Sequence, residues 1–404
     1  MNRIILIGNG FDLAHGLKTS YKDFIDWFWE NQIKKYNSSY SIRDMGLFNL
    51  NNQYFKFNTL PPIPLGVNSY SELTKKYSIT FKNRFLELIS EESHRQKWWV
   101  DIEDEYYKFL VLCSKDNDFE TIRALNKDLE DIKNELINYL KTQKNKNIIT
   151  DYDKIMFGAI DPKDFTDEEA INSIKKEMYS NSLKWKKEET EKEFTYRFDE
   201  YMEFVQVKSC PNNYSIENYP YIEEKEFAFP KFTLFLNFNY TNTFEKYIAL
   251  NKIYKSDYPV YIHGSLSIPQ NPIIFGYGDE IDDDYKILEK KSVGKNFILE
   301  NMKSVYYSKT DNYNRVLHFI NSDLYQIIIL GHSCGNSDRT LLNKLFEHKN
   351  CVSIKPCYYI DKNGKNDYTD KYINISRNFN DKNLLRERVV NETYCDAMPQ
   401  LEKS

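Results

Sequence analysis

The chain has 404 residues, of which 41% are hydrophobic, and its formal net charge at pH 7 is −5. This composition excludes a disordered chain and leaves room for one large domain with an insertion, or for two domains. The mild acidity gives no electrostatic support for a nucleic-acid partner. The N-terminal apolar run, Ile4–Ile7, is too short for a signal peptide or a membrane span, and the six cysteines form no Cys-x-x-Cys pair. We therefore expect a cytoplasmic protein with reduced thiols.

The predicted strands lie near the two ends of the chain, with helices between them. Arg3–Ile7 is a continuous apolar run, typical of a parallel strand buried on both faces. A helix is predicted over Tyr21–Asn31. Residues 36–227 show mostly helical patterns, of which the clearest are Ile79–Leu88, Glu103–Leu112 and Asp118–Leu140. Short apolar strands are predicted later, at Phe232–Phe238, Val260–Ile262, Ile273–Phe275, Ile327–Leu330 and Val352–Ile360.

This order of elements predicts an α/β fold, a Rossmann-like parallel sheet with a large, mostly helical insertion. Residues 1–35 and 228–375 are assigned to a discontinuous nucleotide-binding domain, residues 36–227 to the insertion and residues 376–404 to a weakly structured tail. Ligands of open parallel sheets bind beyond the carboxyl ends of the strands. The polar residues that directly follow the predicted strands are therefore the candidates for a site.

A glycine-rich turn follows the first strand, with Gly8, Asn9 and Gly10 at its start. Glycine lets the backbone approach a diphosphate, and the following helix start favours an anion. The turn is not a regular Gly-x-Gly-x-x-Gly, because Leu13 stands where the third glycine belongs. A tight strand-to-helix turn without a ligand is the alternative. Asp12 would repel a phosphate, so we predict that it bonds a ribose hydroxyl or caps the helix.

Two further polar segments follow later strands. Residues 237–243 contain Asn239, which is suited to bonding a ribose, although an Asx-turn or a helix cap is the alternative for this segment. His263 ends the next strand, where a histidine can act as a base. A structural histidine is the alternative there.

The segment Gly331–Gly335 fits the Gly-x-Ser-x-Gly pattern of a hydrolase nucleophile elbow. That fold needs a histidine downstream of the serine, and the one that follows, His348, lies on the same predicted helix. We therefore interpret the segment as a second backbone turn that holds a nucleotide, with Asp338 near the helix start. Residues 98–105 combine aromatic and acidic side chains, and Asp101 and Glu105 could share a helix face, or simply stabilise a solvated helix start.

Together these motifs resemble the AbiH family, bacterial abortive-infection proteins that act against phage. The resemblance is carried by the opening Ile-Leu-Ile-Gly-Asn-Gly-Phe-Asp-Leu-Ala-His-Gly string, and by Trp-x-Asp-Ile-Glu, Asn-Phe-Asn-Tyr-Thr, Ile-His-Gly and Gly-His-Ser further along. The order of the motifs is also similar to that of sirtuin-like NAD-binding folds. In those folds a glycine-rich first turn holds the diphosphate, an asparagine contacts the nicotinamide ribose and a histidine serves as base.

The resemblance implies NAD as substrate or ligand, and it implies two groups of site residues. The residues expected to bind the nucleotide are Gly8, Asn9, Gly10, Phe11, His15, Tyr240, Gly331, His332, Ser333 and Asp338. Asn239 and His263 are expected to carry the chemistry, and we add Asp12 or Glu103 as the carboxylate that could stabilise the positive ribose. Two positions depart from the sirtuin-like pattern: Asp12 replaces a small hydroxyl residue, and Thr241 replaces an acid. Zinc-binding cysteines are missing from the sequence, so deacetylation is not expected.

We therefore predict an anti-phage effector that binds NAD or a related nucleotide and hydrolyses its N-glycosidic bond. One alternative is a nucleotide-sensing or protein-binding module without turnover. Another is a nuclease that uses Asp12, Asp101 and Glu103 around Mg²⁺. The leading hypothesis requires no metal. A phage-derived trigger and a homo-oligomer are left open.

Overall fold

The computed structural model describes residues 1–38, 45–52, 63–64, 66–95, 101–144, 147–186, 189–208, 222–250 and 259–401. The chain forms two compact units, each discontinuous in sequence. The first contains Met1–His15, Asn147–Asn271 and Thr310–Ser404, and the second contains Gly16–Lys146 and Pro272–Lys309. These boundaries differ from the predicted limits of the insertion at residues 36 and 227. Cys210 and residues 98–100 lie outside the described residues.

The first unit is built on a five-stranded sheet in which every neighbouring pair is parallel. This confirms the predicted α/β class. Its strands are β1 (Asn2–Ile7), β4 (Thr233–Asn237), β5 (Val260–Tyr261), β6 (Tyr325–Leu330) and β7 (Cys351–Cys357). Their spatial order is β5-β4-β1-β6-β7. The chain therefore builds the sheet outward on one side of β1 and then crosses to the other side.

The strands follow from their side chains. Every residue of β1 and β6 is buried, as expected for strands that are covered on both faces. Pro356 cannot donate to a neighbouring strand, and it lies in β7 at the edge of the sheet. The helices of this unit are α1 (Asn9–Ala14), α7 (Asp151–Phe157), α8 (Glu168–Ser182), α9 (Glu191–Lys208), α10 (Glu245–Leu250), α13 (Asn312–Ser322), α14 (Arg339–Phe346), α15 (Tyr368–Arg377) and α16 (Lys382–Arg388).

The second unit is mainly helical and includes one antiparallel hairpin. Its strands are β2 (Phe48–Asn52) and β3 (Tyr77–Phe81). Its helices are α2 (Tyr21–Ser38), α3 (Tyr70–Thr74), α4 (Arg84–Arg95), α5 (Ile102–Lys115), α6 (Phe119–Leu140), α11 (Asp283–Lys291) and α12 (Lys303–Tyr307). No helix in the described part of the chain is long and apolar enough to cross a membrane.

Two predicted elements differ from the structure. The segment Ile79–Leu88, predicted as one helix, contains the end of β3 and the start of α4. Asn83 separates the two, because its side-chain carbonyl accepts a hydrogen bond from the Leu86 amide at 2.7 Å and so starts the helix. Ile273–Phe275, predicted as a strand, has no regular secondary structure.

The C-terminal segment also differs from its predicted weak structure. It contains the end of α15, then α16, and returns to the outer edge of β7, where the Val390 amide donates to the Ile354 carbonyl at 2.9 Å. Its last described residue, Leu401, donates its amide to the Ala14 carbonyl at 3.1 Å. Many of its residues are polar and face solvent. Its polar composition therefore does not reveal that it forms a helix and bonds to β7.

Candidate functional site

The loops after β1 and β6 are in direct backbone contact at the carboxyl edge of the sheet. The Gly8 amide donates to the Leu330 carbonyl at 3.0 Å, and the Gly10 amide donates to the Gly331 carbonyl at 2.8 Å. Gly331 has φ +73°, and a Cβ atom there would lie 2.2 Å from the Phe11 nitrogen. A Cβ on Gly8 would lie 2.4 Å from the Cα of His332. These glycines are therefore needed for the close approach of the two loops.

The same contacts occupy amides that the sequence predicts for a phosphate. Besides those of Gly8 and Gly10, the Phe11 amide donates to the Gly8 carbonyl at 2.9 Å. In this arrangement the three N–H groups bond carbonyl oxygens of the protein. The first turn therefore bonds the end of β6 and the loop that follows it, while its contact with a nucleotide stays a prediction.

The loop after β4 joins this edge through Asn239. Its Nδ2 donates to the Gly8 carbonyl at 3.0 Å, and its amide donates to Oδ1 of Asn237 at 2.9 Å. The second contact is the Asx-turn named above as the alternative for this segment. Two residues on, the Thr241 hydroxyl donates to Oδ2 of Asp12 at 2.6 Å. Asn239 and Asp12, both predicted from sequence, thus lie together in the first unit.

Two histidines share one carboxylate at the same edge. Nε2 of His263, which follows β5, lies 2.9 Å from Oδ1 of Asp338, and Nε2 of His332, which follows β6, lies 3.4 Å from Oδ2. The Phe238 ring packs against both imidazoles, with centroids 5.1 Å from His263 and 4.1 Å from His332. All three polar side chains are buried. Each of these residues is a candidate from its place in the sequence, whereas their pairing is seen only in the structure.

Hydrogen bonding assigns the proton on His332. Its Nδ1 accepts the Cys334 amide at 3.0 Å, so Nδ1 carries no proton and the neutral ring has its proton on Nε2, facing Asp338. The carboxylate likewise favours a proton on Nε2 of His263, which leaves the lone pair of that ring on Nδ1. His263 therefore has the arrangement of a histidine base that a carboxylate orients.

His15 and Phe11, predicted to bind the nucleotide, are instead packed in an aromatic cluster. Nδ1 of His15 lies 2.6 Å from the Phe11 carbonyl and Nε2 lies 2.6 Å from the Tyr247 hydroxyl. The His15 ring also stacks on Tyr152. Burial lowers the pKa of His15 below its ordinary value. A neutral ring that donates to the carbonyl and accepts from the hydroxyl satisfies all these contacts.

The remaining residues predicted to bind the nucleotide lie around the same edge. Ser333 is exposed, and its carbonyl accepts a hydrogen bond from Nδ2 of Asn374 at 3.1 Å. Tyr240 is half-buried, and its carbonyl accepts from the Leu266 amide at 3.0 Å. Asn9 is half-buried at the first position of α1.

Glu103, predicted to take part in catalysis, belongs to the second unit. Its Oε2 lies 2.9 Å from Nζ of Lys303, and its Oε1 accepts the Gly276 amide at 3.2 Å. Both charged side chains are buried. Among the described residues, no group of three His, Cys, Asp or Glu side chains is arranged to hold a metal ion.

Asp12 is expected to make the protein less stable as the pH rises. Burial raises its pKa to about 6 from 3.8, against the opposing effect of hydrogen bonds from Thr241, Thr243 and Asn239. Between these values the folded state holds the proton more tightly than the unfolded state, so the free energy of unfolding falls as pH rises from about 4 to 6 and then levels off. The Asp12→Asn variant should lose this slope, which amounts to on the order of 3 kcal/mol.

Urea unfolding of both proteins between pH 4 and pH 7 measures this difference. Asp26→Asn is the control, since that carboxylate is exposed on helix α2 and pairs with Lys22. Parallel pH profiles for wild type and Asp12→Asn would contradict the prediction.

A comparison with known proteins assigns the chain to a family. The family model described as "Bacteriophage abortive infection AbiH" matches residues 4–359, which is most of the chain. No curated protein and no solved structure matches the sequence. The match includes the three loops described above and supports a role in abortive infection by bacteriophage. The chain belongs to the AbiH family.

Proposed function

We propose that this protein is an abortive-infection effector that binds NAD or a related nucleotide and hydrolyses the N-glycosidic bond. The observation that carries the proposal is the pairing of His263 with Asp338 at 2.9 Å at the carboxyl edge of the parallel sheet. The strand order reverses beside β1, and the loops after β1 and β6 flank that point. In open α/β sheets of the Rossmann type, ligands bind at such a switch point.

The proposed reaction converts NAD and water to ADP-ribose, nicotinamide and a proton. The bond between the nicotinamide nitrogen and the ribose carbon breaks, and its electron pair leaves with nicotinamide, so positive charge builds on the ribose. A water molecule then bonds to that carbon. Nδ1 of His263 accepts the proton from this water, and the Asp338 carboxylate stabilises the imidazolium that forms. Nicotinamide leaves as a neutral ring and needs no proton.

Asn239 would orient the ribose or the water. Its Nδ2 is held by the Gly8 carbonyl, so its side-chain Oδ1 is the atom that would accept from a hydroxyl. Asp12 is less suited to stabilise the positive ribose, because it is buried and its Oδ2 already accepts the Thr241 hydroxyl. Asp338 supplies a carboxylate beside His263, and it is our candidate for that electrostatic role as well. Loss of NAD would arrest the infected cell.

The engaged amides of the first turn favour a second candidate, a nucleotide-sensing module without turnover. Incubation of the purified protein with NAD, followed by chromatography of the products, separates the two. We expect nicotinamide and ADP-ribose in equal amounts. Tight binding of NAD that is recovered unchanged would select the sensing module, and neither binding nor release would refute both.

A further inference from the structure

The turn at Cys334 lies between His332 and Asp338, and its backbone conformation is unusual. Cys334 has φ +55°, a left-handed conformation that is uncommon for a residue with a side chain. Such a conformation persists when neighbouring contacts determine it, and it is often found near functional sites. The contacts that hold this turn therefore bear on the site.

Two contacts hold the Cys334 peptide groups. Its amide donates to Nδ1 of His332 at 3.0 Å, and its carbonyl accepts from Nδ2 of Asn378 at 2.8 Å. Nδ2 of Asn378 also donates to the Asn374 carbonyl at 2.8 Å. Because both partners are carbonyl oxygens, the amide group can have only this orientation. Asn378 is fully buried directly after α15.

We propose that Asn378 is a positioning residue for the site histidines. Its bond to the Cys334 carbonyl holds the left-handed turn. The turn places the Cys334 amide against Nδ1 of His332 and so keeps the histidine proton on Nε2. This Nε2–H faces the Asp338 carboxylate, which His263 also contacts. Asn378 lies beyond residues 4–359, the part matched by the family model. The C-terminal segment thus contributes to the site without touching a ligand.

This inference deepens the proposed function, because the histidines it concerns are those of the proposed site. Its physical content, the tautomer of His332, can be measured without any substrate. The chain has six histidines, so selective ¹⁵N labelling of histidine gives a tractable spectrum. Loss of the resonance in a His332→Gln variant assigns it. We expect wild-type His332 to show an unprotonated Nδ1 and a protonated Nε2 at pH 8.

In Asn378→Ala the Cys334 carbonyl loses its hydrogen bond from Nδ2 of residue 378. The ¹⁵N resonances of His332 should then shift toward the average of the two neutral tautomers. The matched control is Asn380→Ala, two residues further along the chain, whose Nδ2 donates to Oε2 of Glu347 and makes no contact with the Cys334 turn. Its His332 tautomer should stay as in wild type. A folded Asn378→Ala protein with the wild-type tautomer would overturn the proposal.

Glycine at position 334 adopts the left-handed conformation without a steric cost, so a Cys334→Gly background gives a second test. In this background the turn needs less support, and the Asn378→Ala protein is more easily kept folded. In the Cys334→Gly background the Asn378→Ala change should produce at most half of the tautomer shift that it produces alone. Equal shifts in both backgrounds would show that Asn378 does not act through this turn. If nicotinamide release is absent from every protein while these shifts are found, the proposed reaction fails and the positioning role stands.

Discussion

Replacing His263 with alanine is expected to lower the rate of nicotinamide release by about 100- to 10,000-fold, the usual contribution of a positioned general base. The variant loses the imidazole whose Nε2 contacts Asp338 and whose Nδ1 would accept the proton of water. Steady-state release of nicotinamide at saturating NAD measures the effect. The variant should keep its affinity for NAD within a few-fold, because the loss concerns the chemical step.

Two further variants make this result specific. Asp338→Asn should lose a comparable part of the rate, since an amide does not fix the histidine tautomer or stabilise an imidazolium. His318→Ala is the matched control, because His318 is an exposed histidine on α13 of the same unit. It should leave the rate unchanged. A His263→Ala protein that is folded and releases nicotinamide at the wild-type rate would remove His263 from the mechanism.

The central strands of the parallel sheet were the most predictable part of the fold. β1 and β6 are continuous apolar runs, since each is buried on both faces, and this pattern does not depend on distant residues. The hairpin of β2 and β3 was not found, because Ile79–Leu88 looks helical when β3 and the start of α4 are read together. Propensity cannot separate two short elements that only a capping side chain divides.

Individual site residues could be predicted from the sequence, but the contacts between them could not. His263 was expected at the end of its strand, whereas its pairing with Asp338 depends on β5 and β6 belonging to one sheet with its loops on one edge. The partners of His15, Tyr152 and Tyr247, come from helices that are distant in sequence, so the sequence does not show the aromatic cluster around it. Asn378 lies in a polar segment, where the sequence carries no sign of its burial.

Replacing Lys303 with methionine is expected to lower the free energy of unfolding by about 3–5 kcal/mol. Lys303 is fully buried, and its Nζ contacts Oε2 of Glu103 at 2.9 Å. Methionine fills a similar volume but leaves the buried carboxylate without this cation, and desolvation of an uncompensated charge is costly. The midpoint of urea unfolding, followed by fluorescence, measures the loss. Wild-type stability in Lys303→Met would contradict a structural role for the pair.

The double variant Glu103→Gln/Lys303→Met separates structure from chemistry at Glu103. It removes both charges and keeps an acceptor for the Gly276 amide, so its stability should return to within about 1–3 kcal/mol of wild type, the remaining cost being the glutamine NH₂ group that faces methionine. With the fold restored, nicotinamide release shows whether the reaction needs either charge of this pair. A wild-type rate in the double variant would exclude Glu103 from catalysis. A rate reduced 100-fold or more in a stable double variant, together with a wild-type rate in folded Lys303→Met, would support the catalytic role of Glu103 predicted from sequence.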